Sequence, residues 1–215
     1  MMSDKPFSQS CENNKHPILQ IIRDVFFQPT TVWEIGSGTG QHACFFANEL
    51  PHLTWQPTDR ADYLTGIERW LDEVKLPNIK PPLVLDVNNA AWPCLQGIDA
   101  LFSANTLHIM SMAEVEIFFK RLGVYLNQNA LVCLYGPFSY HGCFSSDSNA
   151  RFDGWLKTQN LLSGIRDFEL ICDLAESNGL QLLNDHAMPA NNRLLVFQKN
   201  SWLNLVSGSL NADPE

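Results

Sequence analysis

Apolar residues along this chain follow two periods, and the periods alternate in a regular order. Pro17 to Phe27, "PILQIIRDVFF", has the spacing of one helix face, with a proline suited to a first turn. Thr31 to Gly36, "TVWEIG", is a short apolar run that reads as a buried strand, and Gln41 to Leu50, "QHACFFANEL", returns to helical spacing. The exchange repeats. Strands are predicted at Leu53–Asp59, Pro82–Val87, Ile98–Asn105 and Ala130–Phe138, and helices at Ala61–Val74 and Met112–Leu126. Strands alternating with helices imply parallel strands joined by crossovers and covered on both faces. Right-handed crossovers then make a doubly wound, Rossmann-like α/β sheet.

From Tyr140 to Ile165 the rhythm breaks into a polar and aromatic stretch, read as an insertion with short helices over one sheet edge. A helix follows from Arg166 and stops at Asn178 and Gly179. Leu180 to Asn200 reads as an antiparallel hairpin around a turn at "PANN", and the tail after Trp202 carries no pattern.

The 215 residues fit one domain, 1–215, and a 45% apolar share supplies a sizeable core. The net charge of −9 comes with no run of Lys or Arg, which argues against nucleic acid and anionic lipid as partners. No segment reaches the ~20 apolar residues of a membrane span, and the N-terminus lacks a signal-peptide pattern. A cytoplasmic protein is the expectation. The cysteines (Cys11, Cys44, Cys94, Cys133, Cys143 and Cys172) form no C-x-x-C and read as buried thiols in a reducing compartment. The histidines show no H-x-x-x-H spacing, so no metal is expected.

The chemistry concentrates where the first strand meets its helix. Gly36, Gly38 and Gly40 let a backbone approach a ligand closely, and the helix start offers N–H groups. No lysine follows Gly40, which excludes a P-loop, and Gln41 stands where a dinucleotide fingerprint needs a third small residue. Asp59, ending the second strand about 20 residues on, suits ribose hydroxyls or else caps the next helix.

"VWEIGSGTGQ" resembles motif I of class I S-adenosylmethionine (SAM)-dependent methyltransferases, with Glu34 as its acid. The resemblance implies a seven-stranded sheet in the order 3-2-1-4-5-7-6, its last strand antiparallel. It implies SAM as cofactor and S-adenosylhomocysteine (SAH) as product. The turn around Ser37 would take the carboxylate of the cofactor's amino-acid end. Glu34 or a backbone carbonyl would take its ammonium. Asp86 and Val87 fall at the adenine position, with a strand-end cap as the alternative for Asp86. Asn105 and Thr106 resemble motif IV. Asn14 and Lys15 fall where an N-terminal segment closes over the cofactor, and Gln41 beside His42 faces it.

The resemblance narrows further. "NNKHPIL", "PPLVLDV", "NTLHIM", "SSDSNARFD", "GIRDFE" and "MPANNRLLVFQK" together resemble the family that includes methyltransferase-like protein twenty-six, over Asn13 to Lys199. The family opening resembles "RNKEPIL"; Asn13 and His16 replace its Arg and Glu. This implies a fold and SAM, and no substrate.

His108 is the candidate base, or a structural histidine. Tyr135 orients a substrate or packs. Arg166 either pairs with Asp167 or takes a substrate carboxylate. Asn191 and Asn192 reach the cleft only if the hairpin folds over it. Phe144, Phe152 and Trp155 line an aromatic site or form the insertion's own core. The reading is a small-molecule methyltransferase. The alternatives are a non-catalytic SAM-binding module and a nicotinamide-dependent oxidoreductase.

Overall fold

A computed structural model describes residues 5–93 and 97–200; Cys94 and the tail beyond Trp202 lie outside them. Helix α1 (Gln9–Val25) precedes strand β1 (Thr31–Ile35), α2 (Gln41–Glu49), β2 (Thr54–Asp59) and α3 (Ala61–Val74). Strands β3 (Leu83–Val84) and β4 (Ile98–Ala104), helix α4 (Met112–Tyr125) and strand β5 (Leu126–Gly136) follow. The remainder is β6 (Phe138–Tyr140), β7 (Cys143–Phe144), α5 (Asp147–Gln159), β8 (Arg166–Asp167), α6 (Phe168–Ser177), β9 (Leu180–Met188) and β10 (Asn192–Lys199), with a 3-10 turn at Pro189–Asn191.

The main sheet runs β3-β2-β1-β4-β5-β10-β9. Its first five strands are parallel, and β10 is antiparallel to both neighbours. This is the expected 3-2-1-4-5-7-6 order. Alternate residues of each central strand enter opposite cores, because side chains switch faces at every residue. Leu101, Val132 and Leu134 pack with Phe118 and Leu122 of α4 and Ile171 of α6. Ala100, Phe102 and Cys133 pack with Ile18 and Ile22 of α1 and Phe46 of α2. Parallel pairing aligns the carboxyl ends of β1, β2, β4 and β5 along one edge, where ligands of open α/β sheets bind.

Several boundaries differ from the sequence reading. Helix α1 starts well ahead of Pro17, which sits inside it, because the Ser8 hydroxyl caps the helix by accepting from Cys11 N at 3.4 Å. Strand β3 keeps only Leu83 and Val84; Asp86 Oδ1 accepts from Asn88 N at 2.9 Å and turns the chain away. The insertion holds one 13-residue helix, α5, and strand β7 of a small β7-β6-β8 sheet in place of several short helices. Arg166 and Asp167 pair with β6, so α6 begins at Phe168. The cysteines are not uniformly buried: Cys44 and Cys133 are, Cys11 and Cys172 are half-buried, and Cys143 is exposed on β7. Among the described residues, no helix is long and apolar enough to cross a membrane.

Candidate active-site cleft

The turn after β1 is held open by its glycines. Gly38 has φ +57°, and a Cβ there would meet nothing within 4 Å, so its α-carbon faces open cleft. Gly36 is tighter: a Cβ would stand 2.8 Å from Thr106 Oγ1. The N–H groups of Gly36 and Ser37 both donate to Thr58 O at 3.0 Å, which fastens the turn to β2 rather than leaving them free.

Asp59 is buried at the end of β2. Its Oδ2 accepts from Gly38 N and its Oδ1 from Arg60 N, each at 2.7 Å. Each carboxylate oxygen keeps a second lone pair for a ligand. Burial raises its pKa, and the backbone hydrogen bonds from Gly38 and Arg60 pull it back. Asp86 and Val87, on the loop after β3, face the same cleft. Asn105 does too, from a left-handed φ of +57° after β4, its N–H fixed to Tyr135 O at 2.8 Å.

Helix α1 covers this side. Asn14 is buried and accepts from His42 Nε2 at 2.7 Å in the assignment that leaves its amide nitrogen free to donate. Burial raises the Tyr135 phenol's pKa, offset in part by hydrogen bonds from the Asn14 and Asn192 side chains. Burial also holds His42 down, at about 4.

Across the cleft, His108 is buried at 5% exposure and lines the cavity. Its ring meets Phe152 edge-on at 5.3 Å, and among the described residues no hydrogen bond partners its nitrogens. Burial, then the charge of Arg166, pull its pKa to about 4. Its loop is held at four consecutive carbonyls. Leu107 O accepts from Arg166 Nε (3.0 Å), His108 O from Gly164 N (2.9 Å), Ile109 O from Ser163 Oγ (2.7 Å) and Met110 O from the Arg166 guanidinium. Asp153 of α5 anchors that strap by accepting from Ile165 N at 2.8 Å. The insertion and the histidine loop are therefore one hydrogen-bonded unit.

The hairpin folds over the cleft. Asn192 lines it, while Asn191 binds α5 through its carbonyl to Asn149 Nδ2 (3.1 Å). The cavity so enclosed has a volume of about 960 Å³.

Seven sequence candidates are not on its wall, among them Asn191 and Phe144, which is exposed on β7. Glu34 is buried behind the turn, where it accepts from Trp55 Nε1 at 2.9 Å; burial pushes its pKa up to about 7. Gly40 packs against Ile67, whose Cα is 3.1 Å from a Cβ built there. Gln41 latches the N-terminal segment: its Oε1 accepts from Ser8 N at 2.6 Å and its Nε2 donates to Glu12 at 2.8 Å. Lys15 pairs with Glu12 and lies over the Phe45 ring. Arg166 neither pairs with Asp167 nor reaches the cleft, since carbonyls take its guanidinium, including Leu162 O at 3.0 Å. The Asp167 carboxylate instead accepts from Gly142 N and Ser139 Oγ.

The sequence reading missed Ser8 and Cys11, which line the cleft because α1 starts early. The available signal was Ser8 as an N-cap with Glu12 in the first turn. It also missed Asn149 and Gln159, which face the cleft only because α5 lies across it.

The family model described as "Protein of unknown function (DUF938)" matches residues 5–199. Among solved structures, the chain is similar to an O-methyltransferase family protein from Burkholderia thailandensis. That match has TM-score 0.77 and 14% identity, over 87% of this chain and 57% of that one. It is also similar to N,N-8-amino-8-demethyl-D-riboflavin dimethyltransferase from Streptomyces davawensis, with TM-score 0.71 and 16% identity over 89% and 55%. A third is mitomycin 7-O-methyltransferase, with TM-score 0.69 and 17% identity over 79% and 49%. The chain thus spans about half the length of these structures. They share its fold.

Proposed function

We propose that this chain, which belongs to the DUF938 family, is a SAM-dependent methyltransferase acting on a small molecule. The carrying observation is a single cleft lined by Gly38 and Asp59 and by a buried His108 whose nitrogens meet no hydrogen-bond partner among the described residues. The methyltransferase fold of the solved structures supports the reading.

The residues present fit SAM. Asp59 would hold the ribose hydroxyls with its remaining lone pairs, and the space over Gly38 admits the cofactor backbone. Asp86 and Val87 would flank adenine. With Glu34 turned to Trp55, the cofactor's ammonium falls to backbone carbonyls of the turn. Bound SAM supplies a methyl group on a sulfonium. His108, neutral at neutral pH, is placed to accept a proton from the acceptor. Helix α5 and the hairpin turn exclude water, and much of the acceleration comes from alignment.

Calorimetric titration with SAM, SAH and NAD tests this. SAM and SAH are expected to bind with Kd on the order of micromolar, with no NAD response. NAD binding alone, or silence from both SAM and SAH, overturns the reading. Incorporation of labelled methyl into small acceptors then separates an enzyme from a binding module.

A further inference from the structure

We infer that the His108 side of the cleft takes an uncharged, flat aromatic molecule carrying a ring hydroxyl. The ring lies against Trp155, and the hydroxyl faces His108. This rests on the methyltransferase reading and names its acceptor class.

Charge comes first. The charged side chains on the described cavity wall are Asp59, Arg60 and Asp86, at the ends of β2 and β3 and in their loops, and Glu114 in the first turn of α4, which accepts from Asn88 Nδ2 of the loop after β3 at 3.0 Å. Opposite them, the described lining from α5, the histidine loop and the hairpin turn contains no Asp, Glu, Lys or Arg. The two nearest charges there are spent: Arg166 on carbonyls and Asp153 on Lys157 and Ile165 N. A carboxylate or phosphate brought in would lose water and gain no counter-charge.

Shape comes next. Phe152 and Trp155 stack with ring planes 14° apart at 5.8 Å, and His108 closes the edge of Phe152. Trp155 lines the cleft and is 55% exposed, surface that a flat aromatic guest would cover.

Hydrogen bonding orients the guest. The His108 imidazole lines the cleft and meets no hydrogen-bond partner among the described residues, so its nitrogens are open to a ligand. The His108 Nδ1 lies 3.6 Å from the point where a Cβ on Gly136 would stand, which sets the imidazole at the end of β5. Because burial and Arg166 make His108 a weak base at about 4, an alkyl alcohol is a poor match. A ring hydroxyl, ionising near ~10 as in tyrosine, is a better one. In the transfer the hydroxyl proton passes to His108, and then to water, as the ring oxygen bonds the methyl carbon. The electron pair of the broken carbon–sulfur bond stays on sulfur.

The test uses the full chain saturated with SAH and three probes titrated by calorimetry: β-naphthol, a hydroxynaphthoate and the saturated decahydronaphthol. β-Naphthol is expected to bind, and the other two to be about tenfold weaker or worse. In W155A the gap between β-naphthol and its saturated analogue should shrink to about twofold, with the SAH titration reporting that the cleft is intact. Equal or tighter binding of the carboxylate or the saturated probe overturns the proposal. So does a protein that binds SAH and none of the probes, which leaves the methyltransferase reading standing. Failure to bind SAH overturns that reading instead, and the probe ranking, repeated without SAH, still decides the acceptor class.

Discussion

The two sides of the cleft are built on different principles. The side facing Asp59 is charged and made of short chain segments, each a strand end and the loop after it. Its carboxylate is oriented by backbone N–H groups of the turn and of the next residue. The side facing His108 turns no charged side chain into the cleft among the described residues that line it, and is assembled from segments far apart in sequence, with Arg166 reaching Leu107 and Asn191 reaching Asn149. Under the proposed function the first would recognise by fixed charge, and changing one residue there would remove one contact. The second would recognise by shape and shared position, and a change in its strap would move several residues at once.

The largest effect tests the charged side. Asp59→Ala is expected to weaken SAM binding about tenfold to a thousandfold, the loss of charge-assisted hydrogen bonds. Calorimetry on the folded variant measures it, and unchanged affinity would remove the contrast.

The second effect is pH dependence. His42 and His108 are held near 4, below the ordinary 6.5. The unfolded chain gains their protons near 6.5 and the folded chain only near 4. The stability they confer is complete above 6.5 and is lost as pH falls toward 4, about 3 kcal/mol for each at most. Glu34 acts oppositely. Raised to about 7 from 4.5, it destabilises the fold above 7, and that penalty fades as pH falls to 4.5. Urea unfolding between these limits should show a flatter acid limb in His42→Gln and a steeper one in Glu34→Gln.

Arg166→Gln comes third and probes the coupled side. Losing its donations to Leu107, Met110 and Leu162 should cost about 1–3 kcal/mol. With the positive charge gone, the His108 pKa should rise from about 4, as followed by NMR titration of the imidazole. A His108 titration identical to the wild type would show that Arg166 is structural only.

The smallest effect is Lys15→Ala. Because Lys15 is spent on Glu12, SAM affinity should stay within about twofold. A larger loss would return Lys15 to the cofactor.

The sheet order, Asp59 and Gly38 were legible because each depends on a short stretch: an apolar run, a glycine turn, an acid at a strand end. Gln41 was misplaced at the cofactor because its partner, Ser8, caps a helix whose start depends on that cap rather than on periodicity. Arg166 was misplaced for a like reason. Its three acceptors are backbone carbonyls, which carry no residue signature.

By itself the sequence determined the doubly wound sheet and the charged side of the cleft, since local backbone geometry and strand period act over a few residues. Only tertiary structure decided that α5 and the hairpin turn close the other side and that the His108 nitrogens meet no hydrogen-bond partner among the described residues. Those facts depend on which surfaces meet across long loops, and no local pattern encodes them.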